Sequence, residues 1–159
     1  MAAILKPGDP APDFTASVAG GSYSDGDSIT LSDLQGGKPV VLYFYPKDDT
    51  PGCTKQACEL RDAWGEISEK AQVFGISIDP IKKHRKFIDK YELPFPLLAD
   101  EDKAIVEAYS VWVEKSMYGK TFFGTERTTF IIAPDGKVQA IFPKVKPVAH
   151  LDALLTELS

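Results

Sequence analysis

The sequence predicts an α/β protein with a mixed central sheet and helices on both faces of that sheet. Short apolar runs of the length of buried strands alternate with segments of helical periodicity. A hairpin signal followed by an amphipathic helix closes the chain. The length of 159 residues fits one domain with a single sizeable core, so we expect one domain over residues 1–159.

The first part of the chain predicts little regular structure before one central strand. Residues 7–38 are rich in Gly, Pro, Ser and Asp. Two short apolar pieces within them, residues 14–18 and 29–34, predict a minor hairpin, and a helical turn is expected at residues 32–35. Residues 40–45, Val-Val-Leu-Tyr-Phe-Tyr, are apolar on both faces, which is typical of a central strand.

The middle of the chain alternates helices and strands. A helix is expected over residues 51–70, followed by a buried strand over 73–78. A second helix is expected over residues 80–91, because a proline starts it and another proline follows its end. Residues 95–99 predict a short strand and 103–109 a short helix.

The last third predicts one irregular segment, one hairpin and one helix. Residues 111–125 contain two glycines and four aromatic residues and predict a loop or lid. Residues 128–133 and 137–142 predict a hairpin across a Pro-Asp-Gly turn. Residues 147–158 carry leucines at helical spacing and predict a closing amphipathic helix.

The composition argues against several classes of function. A net charge of −5 gives no global positive field to attract nucleic acid or anionic lipid. The basic run at residues 82–86 is interpreted as a solvated helix face. No stretch approaches the roughly 18 apolar residues that span a membrane, and the N-terminus lacks the basic segment of a signal peptide. We expect a cytoplasmic monomer that binds neither nucleic acid nor membranes.

Both cysteines lie where the first central strand runs into its helix. They are Cys53 and Cys58, in YPKDDTPGCTKQACELRD. Ligands bind at the carboxyl ends of strands in open α/β sheets, and a cysteine pair in a reducing compartment is more often redox-active or metal-binding than structural. Zinc is a poor alternative, because His84 and His150 lack the spacing of a structural site and are expected at the surface or at helix ends. We expect no metal and no cofactor.

Cys53 is a candidate nucleophile because of its place at the start of a helix. Thr50 is a good N-cap and Pro51 suits the first helical position. Cys53 therefore falls in the first turn, where unpaired N–H groups and the helix dipole favour a thiolate. The alternative is a small core residue, because Cys53 extends an apolar stripe at helical spacing. That stripe consists of Ala57, Leu60, Trp64, Ile67 and Ala71.

Cys58 differs from Cys53 in its environment and cannot pair with it on an intact helix. It is rotated about 100° from Ala57 and lies off the apolar stripe. Five residues along a helix separate two Cα atoms by roughly 9 Å. A disulfide needs a separation below about 7 Å. If the two cysteines pair, the first turns of the helix must unwind.

The residues around Cys53 resemble the signature of peroxiredoxins, P-x-x-x-[TS]-x-x-C, at Pro46, Thr50 and Cys53. The string YPKDDTPGCTKQAC, with a second cysteine five positions on, is similar to the bacterioferritin-comigratory-protein or Q-type branch. The likeness includes GDPAPDF, VFGISID and ERTTFIIAPDGKV and covers nearly the whole chain. It implies a thioredoxin-like fold and thiol-dependent reduction of hydrogen peroxide and organic hydroperoxides.

The resemblance also implies a role for each matching residue. Cys53 would be the peroxidatic cysteine and Cys58 the resolving cysteine, which together form an intramolecular disulfide. Pro46 would shield the site, and Thr50 would hydrogen-bond the thiolate and the peroxide. Arg127 matches the arginine that supports the thiolate and the leaving oxygen. Thioredoxin or a similar dithiol protein is the implied reductant.

Two other functions on the same fold stay open at this point. A thiol–disulfide oxidoreductase acting on proteins would favour a C-x-x-C pair and a proline before the strand opposite the cysteines, where this chain has Arg127-Thr128. A redox-sensing binding module would not need Thr50 and Arg127 together. Rapid loss of two thiols in excess hydrogen peroxide, without an added partner, would favour the peroxidase.

Overall fold

The computed structural model describes residues 5–158; the ends of the predicted domain, residues 1–4 and 159, lie outside the described residues. The strands are β1 Thr15–Gly20, β2 Tyr23–Thr30, β3 Val40–Phe44, β4 Gln72–Ser77, β5 Leu97–Ala99, β6 Trp112–Met117, β7 Lys120–Thr125, β8 Thr129–Ile132 and β9 Val138–Phe142. The helices are α1 Pro51–Asp62, α2 Trp64–Lys70, α3 Ile81–Tyr91, α4 Ala104–Ala108 and α5 Pro147–Leu158, and a 3-10 turn covers Leu31–Leu34.

Strand β3 lies inside a mixed seven-stranded sheet with the order β2-β1-β5-β4-β3-β8-β9. It pairs parallel to β4 and antiparallel to β8, and all five of its residues are buried. This confirms the strand predicted from residues that are apolar on both faces. No helix within residues 5–158 is long and apolar enough to cross a bilayer.

The sheet separates two layers of apolar side chains. Alternate residues of β3 point to opposite faces, so Leu42 and Phe44 pack on one side and Val41 and Tyr43 on the other. The first layer is covered by α4 and the 3-10 turn, and side chains of β1 and β2 contribute to it. The second layer packs against α1, α2, α3 and α5. Helices therefore lie on both faces, as the sequence predicts.

The prediction of one helix over residues 51–70 is wrong. Ala63 separates α1 from α2 with φ −109° and ψ 15°, and its N–H donates to the Leu60 carbonyl in a tight 3-10 turn. Trp64 begins the next helix with its ring 5.6 Å from that of Phe95. Helical periodicity continues across the break, so the sequence pattern does not reveal it.

The prediction of a loop or lid over residues 111–125 is also wrong. Strands β6 and β7 form an antiparallel hairpin, paired from Trp112 with Thr125 to the residues beside its tip. Tyr118 and Gly119 at the tip have φ values of 54° and 77°. Positive φ at both central residues is typical of the type I′ turn, whose twist matches the flanking strands. Tyr-Gly is not a usual I′ pair, which weakens the sequence signal.

Both histidines are buried, so the expectation of a surface position is wrong. Each of them does lie at a helix end, as the fourth residue of its helix. His84 on α3 is 0% exposed and His150 on α5 is 1% exposed. The Nε2 atom of His150 lies 2.8 Å from Oγ1 of Thr129. Burial, assisted by the positive charge of Arg127, lowers the pKa of His150 from 6.5 to about 3.

We predict that His150 makes the protein less stable as the pH falls from about 6.5 towards 3. The unfolded chain binds a proton at His150 below its ordinary pKa, whereas the folded protein does not. The contribution of His150 to the free energy of unfolding is fully present above its pKa in the unfolded chain. Below that pKa it is lost at roughly 1.4 kcal/mol per pH unit. The free energy of unfolding should be measured by denaturant titration between pH 7 and pH 4 for the wild type and His150→Gln. In His150→Gln the free energy of unfolding should fall less steeply with decreasing pH than in the wild type. Identical pH dependences in the two proteins would contradict the prediction.

Candidate active site

The residues that the sequence singles out gather at the carboxyl end of β3. Residues 46–50, here called the active-site loop, lead from this strand into α1, which carries both cysteines. Because β8 runs antiparallel to β3, the residues before β8 reach the same edge of the sheet. The Phe44 N–H donates to the Thr128 carbonyl at 2.9 Å, which fixes Arg127 beside this edge.

Cys53 is buried and lies next to a cation. It is the third residue of α1 and only 2% exposed. Its Sγ atom lies 3.4 Å from Nη1 of Arg127, within hydrogen-bonding distance for sulfur. A guanidinium beside a cysteine at a helix start stabilises the ionised sulfur. Cys53 also packs in the apolar layer with Ala57 and Leu60. The alternative prediction, that Cys53 is a core residue, is therefore right about its burial.

Gln56 belongs to this site although no motif in the sequence points to it. It is 1% exposed, and its Oε1 accepts a hydrogen bond from Nη1 of Arg127 at 2.8 Å. One guanidinium nitrogen therefore contacts both Cys53 and Gln56. These two residues stand three apart on α1 and face the same way. A polar residue at that spacing from Cys53, on an otherwise apolar face, is the signal available in the sequence.

Gly52 allows the first turn of α1 to approach Arg127. A Cβ atom at this position would lie 3.1 Å from Nη2 of Arg127 and 3.4 Å from Cγ of Pro147. The first distance is tighter than ordinary van der Waals contact. The glycine thus lets the helix start, the guanidinium and the beginning of α5 come together.

Thr50 caps α1 through its backbone and not through its side chain. The Thr54 N–H donates to the Thr50 carbonyl at 2.8 Å, and no side-chain cap bond is present. Its Oγ1 instead donates to the Lys47 carbonyl at 2.8 Å. A carbonyl only accepts, so the hydroxyl hydrogen is committed and the oxygen lone pairs stay available. In this arrangement Thr50 can accept a hydrogen bond from a ligand, whereas donation to the thiolate would require the bond to Lys47 to break. Pro46 is half-buried at the start of the same loop.

Lys115 on β6 brings a second cation towards the site. It is half-buried, and its Nζ donates to the Thr125 carbonyl at 2.5 Å. Burial lowers the pKa of Lys115, and Arg127 lowers it further, whereas Glu126 and Cys53 act in the opposite direction. No sequence pattern points to Lys115, because residues 111–125 predict a loop.

Cys58 is half-buried on the same continuous helix, and both cysteines are free thiols. Helix α1 begins at Pro51 and runs through both positions, as predicted. By helix geometry their Cα atoms are roughly 9 Å apart, beyond the reach of a disulfide. This arrangement is that of a reduced protein whose two thiols are kept separate.

Comparison with protein families and relatives identifies the class of protein. The model of the AhpC/TSA family matches residues 7–141. Peroxiredoxin Bcp of Escherichia coli K12 is 44% identical over 155 residues, which cover 97% of this chain and 96% of the relative. Peroxiredoxin Bcp of Bacillus subtilis 168 is 44% identical over 134 residues, covering 84% of this chain and 85% of the relative.

Solved structures give the same result for the fold. The Xanthomonas campestris bacterioferritin comigratory protein, studied for alkyl peroxide reduction, has a TM-score of 0.82 and 38% identity, covering 91% of this chain and 89% of its own. A cysteine-to-serine variant of Xylella fastidiosa PrxQ has a TM-score of 0.88 and 32% identity, covering 98% and 96%. These thioredoxin-fold neighbours confirm the predicted fold class. The chain belongs to the AhpC/TSA family as a peroxiredoxin of the Bcp or PrxQ type, a thiol-dependent peroxidase.

Proposed function

We propose that this peroxidase reduces hydrogen peroxide and organic hydroperoxides through a Cys53 sulfenic acid and an intramolecular Cys53–Cys58 disulfide, and that thioredoxin or a similar dithiol protein recycles it. The supporting observation is the 3.4 Å contact between Nη1 of Arg127 and Sγ of the buried Cys53. The alkyl peroxide reduction described for the Xanthomonas campestris relative supports organic hydroperoxides as substrates.

In the first step the Cys53 thiolate attacks one oxygen of the peroxide. A sulfur–oxygen bond forms and the O–O bond breaks, so Cys53 becomes a sulfenic acid and the second oxygen leaves as hydroxide or alkoxide. A proton then converts this leaving group to water or an alcohol. Arg127 and Lys115 supply positive charge near the sulfur, which offsets the negative charge on the leaving oxygen.

The active-site loop provides the alignment that an in-line attack needs. The free lone pairs of Thr50 Oγ1 accept a hydrogen bond from the peroxide O–H, because its own hydrogen is committed to Lys47. Pro46 has no N–H group and presents its apolar ring, which shields the thiolate from water. Holding the reacting atoms in this way converts a bimolecular encounter into an oriented reaction.

In the second step the thiol of Cys58 attacks the sulfenic sulfur. A disulfide forms and water leaves, with the oxygen of the sulfenic acid and the thiol proton. Because an intact α1 holds the two residues too far apart, its first turns must unwind. Pro51, Gly52 and Thr54 are weak helix formers at a helix end, where local opening costs least. The external dithiol then reduces the exposed disulfide by thiol–disulfide exchange.

The alternatives on the same fold are less well supported. A thiol–disulfide oxidoreductase needs two cysteines that can pair without rearrangement, whereas these lie five positions apart on one helix. A redox-sensing module needs no guanidinium shared between the sulfur and Gln56. We also propose that the chain is a single domain over residues 1–159, works as a monomer and resides in the cytoplasm.

We predict that Cys53→Ser abolishes peroxide consumption, because the helix start then has no strong nucleophile. Turnover should be followed with hydrogen peroxide and a thioredoxin system, after circular dichroism has verified that the variant is folded. Cys58→Ser is the matched control, since it changes the same atom on the same helix. It should keep a fast first reaction with peroxide and then stop at the sulfenic acid or overoxidise. Substantial turnover by Cys53→Ser would refute the assignment.

We predict that oxidation unwinds residues of about 51 to 60, because the disulfide and an intact first half of α1 are incompatible. Amide hydrogen exchange of the reduced and oxidised forms should show protection of this segment only in the reduced form. Mass spectrometry must verify the intramolecular disulfide in the oxidised sample. Cys58→Ser treated with one equivalent of peroxide should keep its protection. Equal protection in both forms of the wild type, with the disulfide present, would be incompatible with the proposal.

A further inference from the structure

The active-site loop is tied to the protein interior by Asp48. This residue is 8% exposed, and both of its carboxylate oxygens are occupied. Oδ1 accepts a hydrogen bond from the Tyr45 hydroxyl at 2.5 Å, and Oδ2 lies 2.6 Å from Nδ1 of His84. Its backbone N–H donates to Oδ2 of Asp79 at 2.8 Å. One loop residue therefore makes three buried polar contacts.

His84 lies on α3 and contacts Asp48 through one of its ring nitrogens. Its Nε2 lies 2.8 Å from the Leu98 carbonyl, which can only accept, so Nε2 carries a hydrogen. The other ring nitrogen contacts the carboxylate of Asp48, so both ring nitrogens of this fully buried histidine have a hydrogen-bonding partner.

A second contact joins the loop to the same helix. Asp49 has a φ of 58°, in the left-handed region that most residues avoid. Its Oδ2 accepts a hydrogen bond from Nζ of Lys90 at 2.8 Å, and its Oδ1 accepts one from the Tyr91 hydroxyl at 2.7 Å. Two successive loop residues are thus anchored on α3, which carries none of the reacting groups.

We propose that the Asp48–His84 pair is a positioning device that fixes the active-site loop on α3, so that Thr50 and Pro46 face the peroxide correctly. The inference rests on the proposed function, since it assumes that Thr50 binds the peroxide. The hydrogen bond of Thr50 Oγ1 to the Lys47 carbonyl lies within the loop itself. The direction of the hydroxyl therefore follows the shape of the loop, which the contacts to α3 determine. Neither Asp48 nor His84 contacts the reacting atoms.

The sulfur is held by other parts of the molecule. Cys53 is fixed by its packing in the apolar layer and by Arg127, which is also bonded to Gln56. None of these contacts involves Asp48 or His84. A loosened loop should therefore impair the reaction with peroxide while leaving the reactivity of Cys53 towards other electrophiles intact. A general loss of structure would impair both reactions.

The experiment compares Asp48→Ala with Asp48→Asn, both in the Cys58→Ser background so that one thiol reacts. Alanine removes both side-chain contacts. Asparagine keeps them, because its amide oxygen can accept from Tyr45 and its NH2 group can donate to Nδ1 of a neutral His84. The readouts are the second-order rate constant for oxidation by hydrogen peroxide, the rate of alkylation by iodoacetamide, and the free energy of unfolding.

We expect Asp48→Ala to lower the peroxide rate constant by about tenfold or more, since displaced binding groups cost rate steeply. The alkylation rate of Asp48→Ala should stay within about twofold of that of the Cys58→Ser parent. For Asp48→Asn, the peroxide and alkylation rates should both stay within about threefold of the parent. If Asp48→Ala does not fold, Asp48→Ser replaces it with the same expectations, because serine is too short to reach His84.

Three results would overturn the proposal. A folded Asp48→Ala that reacts with peroxide at the parent rate would show that the pair only fills the interior. A parallel fall in the peroxide and alkylation rates would show a general structural role. An Asp48→Asn variant as slow as Asp48→Ala would show that the hydrogen bonds are not the cause. Failure of the proposed function would be seen separately, as peroxide turnover by Cys53→Ser.

Discussion

The structure depends on one contact, between the guanidinium of Arg127 and the sulfur of Cys53. Cys53 is only 2% exposed, so the fixed positive charge of Arg127 stands where water would otherwise solvate the sulfur. The sheet order places β8 beside β3 and antiparallel to it, which delivers Arg127 to the edge where α1 begins. Gly52 leaves space for the guanidinium, and Gln56 holds it in place.

The proposed reaction cycle places two opposing requirements on the same helix. To attack peroxide, Cys53 has to stay buried in the first turn of α1, against the apolar layer and beside Arg127. To be resolved by Cys58, it has to leave that position, because an intact helix keeps the two residues apart. A helix that starts with Pro51-Gly52 is ordered enough for the first state and weak enough to allow the second. The active-site loop is anchored on α3 through Asp48 and Asp49, so in the proposed cycle α1 opens while α3 stays in place.

The parts of the site that sequence could predict are those encoded locally. The buried strand β3, the helix start at Pro51 and the position of Cys53 follow from residues that are neighbours in the chain. Gln56, Lys115 and His84 could not be assigned in this way, because their roles depend on partners far away in sequence. Arg127 lies 71 positions from Gln56, and His84 lies 36 positions from Asp48. The break at Ala63 and the β6–β7 hairpin are likewise set by tertiary packing and by an unusual turn pair.

The rate of single-turnover oxidation of Cys53 by hydrogen peroxide in Arg127 variants tests the central contact most directly. Arg127→Ala should slow this step by roughly 10² to 10³, the usual loss when a preorganised charge is removed from a transition state. Arg127→Lys keeps the charge but loses the guanidinium whose Nη1 contacts both Cys53 and Gln56, so its rate should fall between those of the wild type and Arg127→Ala. Arg85→Ala, which removes an arginine paired with Asp25 on the surface, should react at the wild-type rate. A wild-type rate in Arg127→Ala would contradict the dependence of the site on this contact.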